Sequence, residues 1–242
     1  MAGHSKWANI KRHKAKQDAK RGKLYTKIIR EVTVAAKMGG ADANTNPRLR
    51  AALDKAQEAN MTKDVLDRAI KRGAGGMEGE CVEEVRYEGY GPGGIAIVVD
   101  CMTNNRNRTV ADVRYAFTKH GGHLGTDGSV AYLFKKQGQL TFAPGVNEEK
   151  LLEIALEIGV DDVMIHADKS VDVITSPERF IFIKDALIKA GFQPAQADVM
   201  MVAHTRVSVT DKEMAERVIS LIDVLEDLDD VQAVYSNVEV DE

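Results

Sequence analysis

The side chains best suited to chemistry crowd the start of the chain. Lys6, Lys11, Arg12, Lys14, Lys16, Lys20, Arg21 and Lys23 are opposed over that stretch only by Asp18. On a helix over about 10–21, Lys11, Lys14 and Arg21 lie near one face, while Arg12, Lys16 and Lys20 form a second ladder at i, i+4 spacing. Like charges at that spacing repel in isolation, so a chain that keeps them gains from a polyanion that receives them. Lysine and arginine there would neutralise phosphates and release counterions, contacts that position a nucleic acid without reading its sequence. Trp7, the sole tryptophan, sits between Lys6 and Lys11. Its ring could stack on a base or pin the basic segment to the protein's own core. A second cluster, Asn104-Asn-Arg-Asn-Arg-Thr109, falls at a predicted helix start with Asn107 as the cap. Arg106 and Arg108 could add to an anion site there. A capped surface loop is the simpler account of the asparagines.

Charge is segregated along the chain. Residues 1–73 carry 18 Lys+Arg against 7 Asp+Glu, a net of +11, and residues 74–242 carry 15 against 30, a net of −15. Such asymmetry points to a basic nucleic-acid-binding segment on an acidic body. A basic end docked on the chain's own acidic part is the competing explanation.

Other chemistries find little support. Gly89-Tyr-Gly-Pro-Gly-Gly94 spells G-x-G-x-x-G, but the apolar run Ile95–Val99 follows it where a dinucleotide site needs a helix. A hairpin turn is the better reading. His120-Gly-Gly-His123 lacks further ligands nearby, whereas structural metal sites usually take four. Cys81 and Cys101 are twenty residues apart and cannot build a disulfide framework. They suit a reducing cytosol, and Cys101 reads as core. Acid pairs such as Asp161-Asp162 and Asp229-Asp230 border elements and read as turn or solubility residues. No nucleophile–base pair emerges, so the expectation is a non-enzymatic protein with no cofactor. At 44% hydrophobic and 29% charged residues the chain is globular. No run approaches the roughly 18–20 apolar residues of a membrane span, nor is there a secretory signal; a cytoplasmic protein with no membrane partner is expected.

The scaffold around these residues follows from periodicity. Helices are predicted over Lys11–Lys20, about 23–37, from Pro47 behind the Asn46 cap, and from Thr62 to Gly73. Beyond the Gly73–Gly76 linker come strands at Val82–Glu88 and Ile95–Met102 and a helix at Arg108–His120. Ser129–Lys136 reads as a strand turned by Gly138 into Gln139–Ala143. An Asn147-capped helix to Gly159, strands at Asp162–Ala167 and Val171–Thr175, a helix opened by Ser176-Pro177, and an extended Val199–Val209 follow. Thr210 with Glu213 makes a capping box for a helix to about Leu225, before a last strand at Val231–Ser236. From about 138 to 203 the order is β-α-β-β-α-β, a ferredoxin-like unit. The expected architecture is α+β in three domains. These are a basic helical domain over 1–76, a discontinuous α/β domain over 77–137 plus 204–242, and a ferredoxin-like domain over 138–203 inserted in it.

Several long motifs resemble the YebC/PmpR family. They are Met1-Ala-Gly-His-Ser-Lys-Trp-Ala-Asn-Ile-Lys11, Asp18–Lys23, Thr26–Glu31, Asn46–Arg50, Tyr87–Gly94, Asn105–Thr109 and Gly121–Phe134. Tyr25 stands where the family has phenylalanine, and Thr62 where proline is common. The resemblance implies the same three-domain plan. It also implies one of two roles. One is a DNA-binding transcriptional regulator. The other is a ribosome-associated translation factor that binds ribosomal RNA or tRNA and relieves stalling, as with the mitochondrial relatives that activate translation of a cytochrome oxidase subunit. Either partner is a polyanion, so the basic segment suits both. The nucleic-acid-binding set expected is Lys6, Trp7, Lys11, Arg12, Lys14, Lys16, Lys20, Arg21, Lys23, Arg106 and Arg108.

Overall fold

Apolar residues recurring every three to four positions draw the first described elements into helices. In the computed structural model, which describes residues 21–75 and 82–240, these are α1 (Arg21–Gly39), α2 (Pro47–Glu58) and α3 (Lys63–Gly73). Ile28, Val32, Ala35 and Ala36 of α1 pack against Leu49, Ala52, Ala56 and Ala69. Small residues on α2 and α3 let the helix backbones approach closely. Asn46 does three jobs at the α1–α2 corner. Its Oδ1 accepts from Leu49 N at 3.1 Å as an N-cap, and its Nδ2 donates to the carbonyls of Ala35 and Gly40, both at 2.8 Å. Pro47 takes the first helical position, where its missing N–H costs nothing. Thr62 stands at the start of α3 but makes no side-chain cap bond.

The chain continues through β1 (Glu83–Tyr90), β2 (Ala96–Thr103), α4 (Arg106–Lys119) and β3 (His123–Leu124). Next come β4 (Phe134–Phe142), α5 (Glu148–Ile158), β5 (Asp162–Ile165), β6 (Val171–Thr175), α6 (Phe180–Lys189) and β7 (Gln196–Ala203). It ends with β8 (Val207–Val209), α7 (Lys212–Glu226), β9 (Val231–Ser236) and β10 (Val238–Val240). The protein is thus α+β, with a helical region followed by mixed sheets. Its described residues fall into two compact units, one of 21–75, 82–131 and 216–235, the other of 132–215 and 236–240. The helical region and the first sheet therefore group together.

In the first unit the sheet order is β3-β1-β2-β9. β1 and β2 form an antiparallel hairpin, Tyr90 opposite Ala96, around Gly91–Ile95. Gly93 and Gly94 both adopt positive φ there, at 71° and 75°, conformations that favour glycine. The G-x-G-x-x-G string is this hairpin turn. In the second unit the order is β5-β6-β4-β7, with β4 antiparallel to both neighbours. Leu140, Phe142, Val171 and Val173 turn to one face, where Leu151 of α5 and Ile183 and Leu187 of α6 cover them. β8 and β10 form a separate parallel pair.

Local details depart from the sequence reading. Residues 134–142 make one strand, with no turn at Gly138. A Cβ there would lie 2.7 Å from Phe180 Cδ2 and 2.8 Å from Thr175 Cγ2, so the glycine admits a close neighbour instead of bending the chain. Asp211, not Thr210, caps α7, accepting from Met214 N at 2.7 Å. The expected Val199–Val209 stretch is broken into β7 and β8. The helix opened by Ser176-Pro177 begins only at Phe180, after a turn in which Arg179 N donates to Ser176 O.

Candidate nucleic-acid interface

Of the residues expected to touch nucleic acid, Lys6, Trp7, Lys11, Arg12, Lys14, Lys16 and Lys20 lie outside the described residues, as does the helix expected at Lys11–Lys20. Arg21 opens α1. The remaining three, Lys23, Arg106 and Arg108, all belong to the first unit.

Lys23 is one of three cations spaced along one side of α1. Its Nζ donates to the Asp227 carbonyl at 2.6 Å, Lys27 Nζ donates to that of Glu226 at 2.8 Å, and Arg30 Nη1 donates to that of Asp229. These are carbonyls at and just beyond the C-terminal end of α7, which a helix leaves unsatisfied and where its dipole favours positive charge. Burial pushes the Lys27 ammonium below its ordinary value, against the opposing pull of Glu226 and Asp227. So the end of the basic run is engaged with the chain's own acidic turn.

Asp230 finishes that turn and is the hub of the cluster. Its side chain is 6% exposed. Oδ2 accepts from Thr109 Oγ1 at 2.7 Å, Arg108 Nη2 at 2.8 Å and Thr103 Oγ1 at 3.2 Å, while Oδ1 lies 3.1 Å from Arg30 Nη2. Its carbonyl accepts from Met102 N at 2.8 Å, tying the turn to β2. Burial pushes its carboxyl up, but the Thr109 and Arg108 hydrogen bonds and the two guanidiniums hold it below the usual aspartate value. The acid that the sequence reads as a turn or solubility residue is therefore buried. Nothing local marks it, because these side-chain partners all lie more than a hundred positions away.

The Asn104–Thr109 cluster works mainly within the fold. Asn105, not Asn107, is the N-cap of α4, accepting from Arg108 N at 3.1 Å. The helix starts two residues earlier than the spacing predicts because Thr103 Oγ1 accepts from Asn105 N at 2.9 Å and sets the entry. Arg108 Nη2 also donates to Asn104 Oδ1 at 3.0 Å. Arg106 stays 62% exposed, 3.8 Å from Glu83.

Two further acid sites shape this unit. Arg48 of α2 bridges Glu31 of α1, at 2.7 Å, and Glu84 of β1. Glu88 of β1 is buried and accepts from the backbone N–H groups of Gly128, Val130 and Ala131 at 2.9, 2.8 and 2.7 Å. Burial alone would raise its carboxyl, and these three donors bring it below the ordinary value. The Gly121–Phe134 motif owes the shape of its middle to this carboxylate. Of the two histidines there, His123 lies against the ring of Tyr90, centroids 5.5 Å apart. Among the described residues no helix is long and apolar enough to cross a membrane.

Known proteins match nearly the whole chain. Residues 5–76 match the TACO1/YebC protein N-terminal domain, and residues 82–238 match the TACO1/YebC second and third domain. The chain belongs to the TACO1/YebC family. A protein of Francisella tularensis subsp. mediasiatica named "Probable transcriptional regulatory protein" is 62% identical over 237 residues, 98% of this chain and 95% of that one. A Francisella philomiragia protein of the same name is 62% identical over 238 residues, 98% of this chain and 96% of its own. The crystal structure of a conserved hypothetical protein from Aquifex aeolicus superposes with a TM-score of 0.85 at 47% identity, covering 94% of both chains.

Proposed function

We propose that this protein is a cytoplasmic, non-enzymatic transcriptional regulator that binds the phosphate backbone of DNA through its basic N-terminal domain. The observation that carries the reading is the split of charge, +11 over residues 1–73 against −15 over the rest. The relatives named as probable transcriptional regulatory proteins support it. We assign the principal phosphate contacts to Lys6, Lys11, Arg12, Lys14, Lys16, Lys20 and Arg21, with Trp7 stacking beside them. Lys23 and Arg108 contribute less, because each already has acceptors inside the chain. The acidic remainder repels non-specific polyanions and leaves the basic end as the point of approach. The β-α-β-β-α-β segment is taken as a ferredoxin-like domain inserted in the second domain.

The test is a salt series of duplex DNA binding by the full chain and by the variant Lys11→Gln, Arg12→Gln, Lys14→Gln, Lys16→Gln. Removing one phosphate contact lowers the slope of log K against log salt by about 0.9. A flatter slope with weaker binding is expected. An unchanged slope would overturn the assignment of phosphate contacts to these four residues.

A further inference from the structure

The first unit contains a basic aromatic surface that neither the core nor the Asp230 cluster uses. α4 carries Arg106, Arg108, Arg114 and Lys119 against one acid, Asp112, and so runs counter to the −15 of residues 74–242. Its inner side is filled by Thr109, Val113, Ala116 and Phe117. Tyr115 points the opposite way at helical spacing and is 66% exposed. The Lys119 ammonium stands 5.8 Å from its ring centre, one turn on. Arg114 and Lys119 are both exposed, and neither forms an ion pair with any described residue. Arg217 of α7 reaches the C-terminal end of the same helix, its Nη2 3.4 Å from where a Cβ on Gly121 would lie. An exposed ring contributes little to folding. An exposed ring with one ammonium over it and a second exposed cation on the same helix, against the single acid Asp112, is an arrangement that takes a base on the free ring face and phosphates beside it.

We infer that the outer face of α4 is a second nucleic-acid contact, in which Tyr115 stacks on an unpaired base of single-stranded RNA while Arg114 and Lys119 hold the adjoining phosphates. The ring selects the partner. In a DNA duplex both faces of each base are already stacked, whereas RNA loops and ends offer bases that can be splayed onto an aromatic side chain. This contact goes beyond the DNA reading of the N-terminal domain and does not depend on it.

The test uses the full chain, a fluorescein-labelled 12-nucleotide single-stranded RNA of mixed sequence, and a 12-base-pair DNA duplex. Tyr115→Leu keeps apolar bulk and is expected to weaken RNA binding about tenfold, with duplex binding unchanged. Tyr115→Phe keeps the stacking face and should bind RNA within about twofold of the parent. Arg114→Gln with Lys119→Gln should lower the RNA salt slope by about 0.7 for each phosphate no longer neutralised. Replacing uridines with 4-thiouridine and irradiating should place the crosslink on the Tyr115 peptide. RNA binding that is absent, or that Tyr115→Leu leaves intact, overturns the proposal. Equal losses on RNA and duplex also overturn it, because they report general electrostatics. The Lys11, Arg12, Lys14 and Lys16 variant is run beside these. If it loses duplex binding while Tyr115→Leu loses only RNA, both readings stand. If it keeps duplex binding, the assignment of duplex phosphates to those four residues fails and the α4 contact is untouched.

Discussion

Helices α1 and α4 belong to the same compact unit and both are basic, yet they direct their charge differently. On α1, Lys23, Lys27 and Arg30 turn inward to the carbonyls of Glu226, Asp227 and Asp229, and Arg30 adds an ion pair with buried Asp230. On α4, only Arg108 is drawn into that hub, while Arg114, Tyr115 and Lys119 are left to solvent. Counting charges along a sequence does not separate the two cases. What separates them is geometry. The C-terminal end of α7 is a set of unsatisfied acceptors beside α1, and cations that reach them complete the helix. Among the described residues no such acceptors meet Arg114 or Lys119 on the outside of α4. Basic residues become available to an external polyanion only where the fold has not already paired them.

The severest test of that contrast lies at Asp230. Asp230→Ala removes the acceptor shared by Thr103, Thr109 and Arg108 and the partner of Arg30, so urea unfolding should show a loss of about 3 kcal/mol. Lys27→Met should cost less, about 1 kcal/mol by the same measurement, because one carbonyl loses its donor while the side-chain stem still packs. Acid probes the same buried groups. Asp230 and Glu88 have carboxyls below the ordinary values of 3.8 and 4.5, so the stability they supply is present above those values and disappears as pH falls through the lower, folded ones. Asp230→Asn and Glu88→Gln should therefore each flatten the decline of unfolding free energy with falling pH below about 4.5, measured by urea titration across that range. The smallest effect belongs to α4. Arg114→Gln with Lys119→Gln should change stability by less than about 0.5 kcal/mol. A larger loss would mean that the outer face of α4 is structural after all.

Much of the fold is legible in the chain because its signals are local. The Asn46-Pro47 start of α2, the hairpin through Gly93 and Gly94, and the β-α-β-β-α-β order of the second unit each depend on residues near one another. The sequence misleads where a residue's role depends on a distant neighbour. Gly138 has the composition of a turn, but it is glycine because Phe180 and Thr175 crowd its Cα. Asn107 and Thr210 are good caps by type, yet Asn105 and Asp211 are the residues whose side chains accept from the first-turn N–H groups of Arg108 and Met214. The strand pair Asp162–Ala167 and Val171–Thr175, with the short connection between them, is legible, and it is found as β5 and β6. The role of Asp172 in β6 is not; that residue is buried and bonded to Thr141 at 2.5 Å and His166 at 2.8 Å.

The helical start, the mixed sheets after it, the segregation of charge and the family all follow from the order of residues alone, because composition, periodicity and long motifs are properties of the chain. Which charges are paired internally is a matter of three-dimensional packing. From the sequence Asp229-Asp230 reads as a turn or solubility pair and Lys23 as a phosphate contact, until α1 and the end of α7 are brought together. Packing then buries Asp230 as a hub, gives Lys23 the Asp227 carbonyl as an acceptor, and leaves Tyr115, Arg114 and Lys119 facing outward. The reason is physical. The strength of a charge's interactions depends on the dielectric and the partners around it, and both are set by residues that the chain places far away in sequence.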